Sequence, residues 1–465
     1  MKRFWKMMAA TMVLAAALCV GACASDFDAV AEDLSAIGMF RGTGASFELD
    51  RAPTRAEAAI MLVRLYGAEE EAAADYAAGK INHPFKDVPS FAAPHVAWLY
   101  EKGLTKGMSA DTFGATAACS AQNYATFLLR ALGYQDGEDF EYADALTFAQ
   151  EKGFYSPVLF TGDFLRDDLA GVTYQALAAD MKDGDAYLLE SLVESGAVSA
   201  EAAKPMTEKV ENYRMLSKTL VDDETAAMDL DIIMALDLTM VMGDQAVTTE
   251  TYTAGNMKVD VRDQENVKMQ YVTTTEVDGE PAGEIGMWMK NNWIYMSTDD
   301  GVEAVKVKYP VSDDMEALEE LDLPEVTAMD VSDLAIIKEL TAEKDGTDTV
   351  YTMVIGENFG GAMDSVMELT GEELDGAALD VSEMTVRYVI DRSGKVKEMQ
   401  MVFSFAMGMQ FPDEQTGGVM TMELIYDYDM AMKVNATGSK VKMSYPSFSD
   451  FVEVDPDALV TEPVA

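Results

Sequence analysis

The period of the apolar residues changes once along this chain, near residue 205, so a single uniform fold is excluded. Before that point apolar residues recur at helical spacing and alanine is abundant; after about residue 225 long stretches alternate with period two. In Met399-Met401-Phe403-Phe405-Met407-Met409-Phe411 every second residue is large and apolar, with Gln400, Val402, Ser404, Ala406, Gly408 and Gln410 between. The same alternation runs from Met420 to Met432 and from Met228 to Met242. One apolar and one polar face is the pattern of antiparallel strands that cover a core on one side. These runs extend to about 13 residues, against a usual 5–6. Asn291-Asn292 and Asp391-Arg392-Ser393-Gly394 read as hairpin turns. Helical inserts are expected near Asp313–Leu321 and Ala362–Leu369, with a third short helix over Val331–Leu340. The expected fold class is a multidomain α + β chain: a helical repeat domain, then one large curved antiparallel sheet with helices on its apolar concave face.

The first part contains a degenerate internal repeat. Ile37-Gly38-Met39-Phe40-Arg41-Gly42 corresponds to Lys102-Gly103-Leu104-Thr105-Lys106-Gly107, and a weaker third copy begins at Lys152-Gly153-Phe154. In each copy a helix should end at the glycine, in the left-handed conformation of a helix C-terminus. A second helix follows, led by Thr54-Arg55-Ala56-Glu57 in copy one, Ser120-Ala121-Gln122-Asn123 in copy two and Leu165-Arg166-Asp167-Asp168 in copy three. Thr54 and Glu57 have capping-box spacing. Arg55 sits in the first helical turn, where the helix dipole does nothing for a cation, so its charge asks for another reason.

Phe85-Lys86-Asp87-Val88 with Ala97-Trp98-Leu99-Tyr100-Glu101-Lys102-Gly103-Leu104 and Lys106-Gly107 resembles the opening of an S-layer homology (SLH) motif, and Thr54-Arg55-Ala56-Glu57 is similar to that family's T-R-A-E signature. The resemblance covers roughly residues 26 to 180 and implies a pseudo-threefold helical domain that binds an acidic, pyruvylated wall polysaccharide. It implies polymer-binding roles for Arg55, Glu57, Arg166, Asp168, Trp98 and Asp87. A guanidinium suits such a ligand because it can bond a carboxylate bidentately. Trp98 also reads as core, and Asp87 as the cap of a helix beginning near Pro89. Copy two carries Ala121 and Asn123 at the signature positions, so its own contact should be lost.

Residues 222–450 resemble the LolA/LppX-like lipoprotein half-barrel. The features that carry this are Trp293-Ile294-Tyr295-Met296 before an acidic turn, the helical inserts, the long final hairpin and the closing Val441-Lys442-Met443-Ser444-Tyr445-Pro446. That resemblance implies an apolar cavity with no assigned ligand. The expected division is a signal peptide over 1–24, SLH motifs over 26–68 and 82–135, a degenerate third motif with closing helices over 138–204, a linker over 205–221, the β domain over 222–450 and a tail over 451–465.

The N-terminus supports export. Lys2, Arg3 and Lys6 precede an apolar run, Met7 to Val20, that is shorter than the ~20 residues a spanning helix needs. Two cleavage readings stand: Val20-Gly21-Ala22-Cys23 resembles a lipobox that leaves Cys23 lipidated, and Ala22-Cys23-Ala24 is an A-x-A-like site. With only Cys19, Cys23 and Cys119 there is no disulfide framework, and Cys119 reads as a small buried hydrophobe.

The balance of 34 basic against 82 acidic residues, net −48, disfavours nucleic-acid binding. It also means that attachment to an anionic wall needs a few placed cations rather than a general positive field. Of 34 methionines, 26 lie from Met206 onward. They read as a buried sheet face, as a soft lining for an apolar ligand, or as thioether sites for copper(I); strict alternation favours the first, and no cluster of them is joined by His or Cys. No P-loop, G-x-S-x-G, H-E-x-x-H or dinucleotide motif is present, and the acidic turns lack EF-hand spacing. The expectation is a non-catalytic, exported protein of a Gram-positive-type bacterium, without metal or cofactor. Its partner would be secondary cell-wall polysaccharide, it would touch a membrane only through a lipid anchor, and its β domain would face outward or hold an apolar molecule. A lipid-anchored carrier or sensor of hydrophobic molecules is the alternative. A wall-active hydrolase would need two carboxylates about 5–9.5 Å apart, and nothing in the sequence singles out a pair.

Overall fold

The structure is a computed structural model, and it describes residues 27–42, 46–157, 159–160, 162–184, 186–220, 227–243, 245–263, 266–299, 301, 304–311, 333–356, 378–381, 383–412 and 419–454. The expected signal peptide, Cys23 and both helical inserts lie outside the described residues. The chain forms two compact units, one of helices and one of strands.

The helical unit contains α1 (Asp28–Ala36), α2 (Arg55–Leu65), α3 (Glu69–Ala77), α4 (Ala93–Glu101), α5 (Ala121–Ala131), α6 (Ala145–Glu151), α7 (Arg166–Ala176), α8 (Leu188–Glu194) and α9 (Ala200–Leu220). The three repeat glycines do what their spacing demands: Gly38, Gly103 and Gly153 follow α1, α4 and α6 with φ of 79°, 71° and 78°. Thr54 caps α2, accepting from the Glu57 N–H while Glu57 reaches back to the Thr54 N–H, and Ser120 caps α5 in the same place. Each second helix buries the stripe its sequence presents. Leu62 of α2, Leu128 and Leu129 of α5, and Leu169 and Tyr174 of α7 meet Leu34 and Leu99 in one core.

The stretch expected as a linker is helical. Ala203, Met206, Val210, Leu216 and Leu220 of α9 are buried at helical spacing, and this apolar stripe outweighs the interior Pro205. The division between the units falls at Arg214/Met215, within that helix.

The β unit is one sheet. A meander of β1 (Ala227–Met242), β2 (Gln245–Asp260), β3 (Lys268–Val277), β4 (Glu280–Lys290), β5 (Trp293–Asp299) and β6 (Ala304–Pro310) runs from the centre to one edge. From the other edge β7 (Ile337–Asp345), β8 (Asp348–Ile355), β10 (Met384–Ile390), β11 (Val396–Pro412) and β12 (Val419–Thr437) return until β12 pairs with β1; β9 (Ala378–Val381) lies beside β11. The pairing is antiparallel throughout, except where β13 (Val452–Glu453) joins β6 in parallel. The long alternating runs became strands of 16, 17 and 19 residues, β1, β11 and β12, with β2 matching β1 in length.

Asn291 and Asn292 both take positive φ, 53° and 58°, as a two-residue turn between right-twisted strands requires. In the Asp391 turn one carboxylate oxygen accepts from the N–H groups of Ser393 and Lys395. The expected helix over Val331–Leu340 is not formed among its described residues: Leu334–Ile336 make a single 3-10 turn, and β7 starts at Ile337.

Register places the alternating residues on one face. Phe403 stacks on Tyr428 at 5.0 Å and Phe405 on Tyr426 at 4.4 Å, beside buried Met399 and Met401. Toward the far end of β1 this face opens, and Met240 and Met242 are exposed. On the opposite face Phe448 stacks on Tyr295 at 3.8 Å, and Phe451 packs edge-on to Trp288. The β unit therefore reaches past the expected boundary at 450, through Phe451 and β13.

Candidate functional site

The repeat copies dock through one recurring set of backbone bonds. The first amides of a helix have no partner inside it, so they need carbonyls from elsewhere. In copy one the Arg55 N–H donates to the Ala117 carbonyl at 2.9 Å, the Ala56 N–H to Ala115 at 3.1 Å, and Arg55 Nε to Phe113 at 3.3 Å. In copy three the Arg166 N–H donates to the Arg51 carbonyl at 2.9 Å, the Asp167 N–H to Leu49 at 3.1 Å, and Arg166 Nε to Phe47 at 2.8 Å. The acceptors step back by two residues each time, as alternate carbonyls along an extended loop do. Arg55 and Arg166 thus occupy equivalent positions: copy one's helix seats on copy two's loop, and copy three's helix on copy one's loop.

Their electrostatic surroundings differ. Arg166 is 3% exposed. Its Nη1 meets Glu57 Oε1 at 3.0 Å, its Nη2 donates to the Arg41 carbonyl at 3.2 Å, and its guanidinium lies 4.8 Å from the Phe40 ring centre. Burial pushes its pKa down, against the pull of Glu57. Arg55 is partly exposed; its guanidinium stands 5.2 Å from the Phe113 ring centre, and it makes no ion pair among the described residues. The residue that neutralises Arg166 comes from the helix after the loop Arg166 docks on. By the repeat, the position corresponding to Glu57 in copy two is Asn123, which carries no charge and bonds Ser120 and Tyr142.

Glu57 is held by three partners. Arg51 Nη2 lies 2.6 Å away, Arg166 at 3.0 Å, and the Thr54 N–H donates at 2.7 Å. Burial alone would raise its pKa, but the bonds from Arg51 and Thr54 and the charge of Arg166 outweigh it and bring the carboxyl down to about 2.

The remaining expected site residues do not converge on Arg55 as a set. Asp87 does not cap a helix at Pro89; α4 begins at Ala93, and the Asp87 carboxylate instead accepts from three consecutive amides, Phe113 and Gly114 at 2.7 Å and Ala115 at 3.1 Å. Burial would raise its pKa, but these bonds hold it low. Asp87 thereby fixes the loop on which Arg55 rests. Trp98 is 6% exposed and packs on Tyr66 at 5.6 Å, with the Lys102 ammonium over its ring: a core residue. Asp168 turns back on its own helix, accepting from the Leu165 N–H at 2.7 Å, and burial raises its pKa. Arg166 is likewise inside the fold rather than on an open groove. Cys119 is buried, and burial lifts its thiol to about 12, as a small core residue requires.

Sequence reasoning missed Arg51, Phe113 and Gly114. Gly114 has φ of +79°, and a Cβ there would meet Met108 Sδ at 2.2 Å, so the bare backbone lets Met108 pack over this loop beside Arg55. Met108, which packs against Gly114, is itself 64% exposed. The signal for Arg51 was its place six residues before Glu57, a spacing with no local meaning outside the folded loop.

Residues 84–120 match the S-layer homology domain family, so copy two carries an SLH motif. The chain is 31% identical over 176 residues to a cell surface protein of Thermoanaerobacter kivui. That alignment takes in 36% of this chain and 22% of the relative, so the chain spans about a fifth of the length of the curated relative it matches. Among solved structures, a DUF1329 family protein from Desulfovibrio piger ATCC 29098 covers 50% of this chain and 95% of its own at 10% identity and a TM-score of 0.15. A domain named as an outer membrane lipoprotein-sorting protein, from Vibrio parahaemolyticus, covers 52% and 97% at 8% identity and a TM-score of 0.16.

Proposed function

We propose that this chain is a non-catalytic protein of the cell surface, held on the wall by its SLH repeats, with Arg55 as the seat for an acidic group of the wall polysaccharide. SLH domains generally bind cell-wall polysaccharide, and the likeness to a cell surface protein supports the location. One observation carries the reading: Arg55 and Arg166 share one backbone frame, yet among the described residues only Arg166 of the two has a carboxylate partner, Glu57 at 3.0 Å. In a chain of net charge −48, a partly exposed guanidinium without an internal carboxylate is suited to an external one. The test is co-sedimentation with purified wall sacculi. Arg55→Ala should lose about 10- to 100-fold in affinity, the worth of a charge-assisted bidentate contact, with its melting temperature kept. Equal binding by wild type and variant would sink the reading.

The open end of the sheet supports a second role, as a holder of apolar molecules. Stacked Phe403–Tyr428 and Phe405–Tyr426 continue on the same face toward the exposed Met240 and Met242. Methionine surfaces adapt to varied apolar shapes. Native mass spectrometry of the purified protein should show a co-purifying lipid-sized adduct; a bare chain that also fails to take up a fluorescent fatty acid would end this reading. A lipid on Cys23 remains part of the proposal for the N-terminus, and intact mass of the mature protein decides it.

A further inference from the structure

The repeats do not complete the helical unit. Its compact body runs up to Arg214 and then takes in Asp333–Lys338, the segment directly before β7. Leu334 is fully buried and Ala335 is 5% exposed, both within the hydrophobic core of the repeats, and Ile336 packs against that core. Opposite them stands Gln175, in the last turn of α7, at 2% exposure. Both ends of its carboxamide face the segment: Nε2 donates to Asp333 Oδ1 at 2.6 Å, and Oε1 accepts from the Ala335 N–H at 3.1 Å, across 158 and 160 residues of chain. A glutamine so deeply buried is strongly disfavoured unless both ends of its amide are bonded, and this segment supplies the bonds. One bond goes to a side chain and the other to the backbone of a single 3-10 turn, with the apolar Leu334 seated between them.

We propose that the helical body carries a peptide slot built around Gln175, and that its occupant is this chain's own Asp333-Leu334-Ala335-Ile336. The body is then a discontinuous folding unit, finished by four residues encoded within the β half. This explains why no longer helix forms among the described residues from Asp333 on: the amide of Ala335 is bonded by Gln175, and its neighbours are anchored as a single turn.

Hydrogen exchange on the full-length protein tests the slot. In wild type the Ala335 amide should exchange slowly, like the amides in the middle of α7. Gln175→Leu, which keeps the bulk and removes both bonds, should speed exchange at Ala335 by about tenfold or more while α2 is unchanged. Leu334→Asp should abolish protection across the segment and lower the melting of the helical body, and Leu334→Met should restore both. Unchanged exchange at Ala335 in Gln175→Leu overturns the proposal, as does a helical body that melts at the wild-type temperature in Leu334→Asp. Sacculus binding plays no part in this readout, so the outcome stands apart from the fate of the Arg55 reading.

Discussion

Arg55 and Arg166 are the same residue in two copies of one repeat, and the fold gives them different surroundings. Both lead a helix, both rest Nε on a loop carbonyl, and both lie beside an aromatic ring. What separates them is one position in the neighbouring copy. Copy one offers Glu57, which pairs with Arg166 from within; copy two offers Asn123, and Arg55 is left partly exposed with no carboxylate partner among the described residues. A signature residue therefore does not say whether a groove is open. That depends on a partner contributed by the next repeat.

The largest effect should come from the closed groove. Arg166→Ala leaves Glu57 without one of its cations and the carbonyls of Phe47 and Arg41 without their donor. Breaking a buried pair in this way costs about 3–5 kcal/mol, so chemical denaturation should show a large loss of stability of the helical body. If stability is unchanged, the internal role assigned to Arg166 is wrong.

The acid response is next. The Glu57 pKa sits at about 2, below its ordinary 4.5. Its contribution is present in full above pH 4.5 and is lost as pH falls through about 2, amounting to roughly 2–3 kcal/mol after allowance for partial exposure. Glu57→Gln should remove that part of the acid destabilisation, and parallel pH–stability curves for the two proteins would contradict it. Smaller again is Asp87→Ala. Its carboxylate holds three loop amides but is solvated, so about 1 kcal/mol of stability should go, together with faster exchange at Phe113 to Ala115.

The smallest change is the most pointed. Asn123→Glu should give copy two the acid it lacks and close the Arg55 groove as Glu57 closes the other. Wall affinity should fall about two- to fivefold, the worth of a half-exposed ion pair of roughly 0.5–1 kcal/mol. Tighter binding in that variant would break the comparison.

Much of this architecture was legible. Capping box, C-terminal glycines and strand alternation are local patterns, and each formed where its residues said. The Arg55 site was legible in part, because a cation in a helix's first turn has no local reason to be there. The rest depended on partners far along the chain. Arg166 reads like Arg55 until Glu57, 109 residues away, is seen to meet it. Asp87 looks like a helix cap until its three amides appear 26 to 28 residues later. The stretch 205–221, expected as a linker where the apolar period changes, is helix because Met206, Val210, Leu216 and Leu220 form a buried stripe. Nothing in Asp333–Ile336 marks it as core of another body; only the buried Gln175 does.

The central claim is that one arginine faces the polymer and its twin faces the protein. Arginine-selective nitrogen NMR of the full chain, titrated with purified wall polysaccharide, tests this directly. The Arg55 Nε resonance, assigned by its loss in Arg55→Lys, should shift on titration while that of Arg166 stays fixed. A shift at Arg166 with Arg55 unmoved, or no shift at either, would contradict the account.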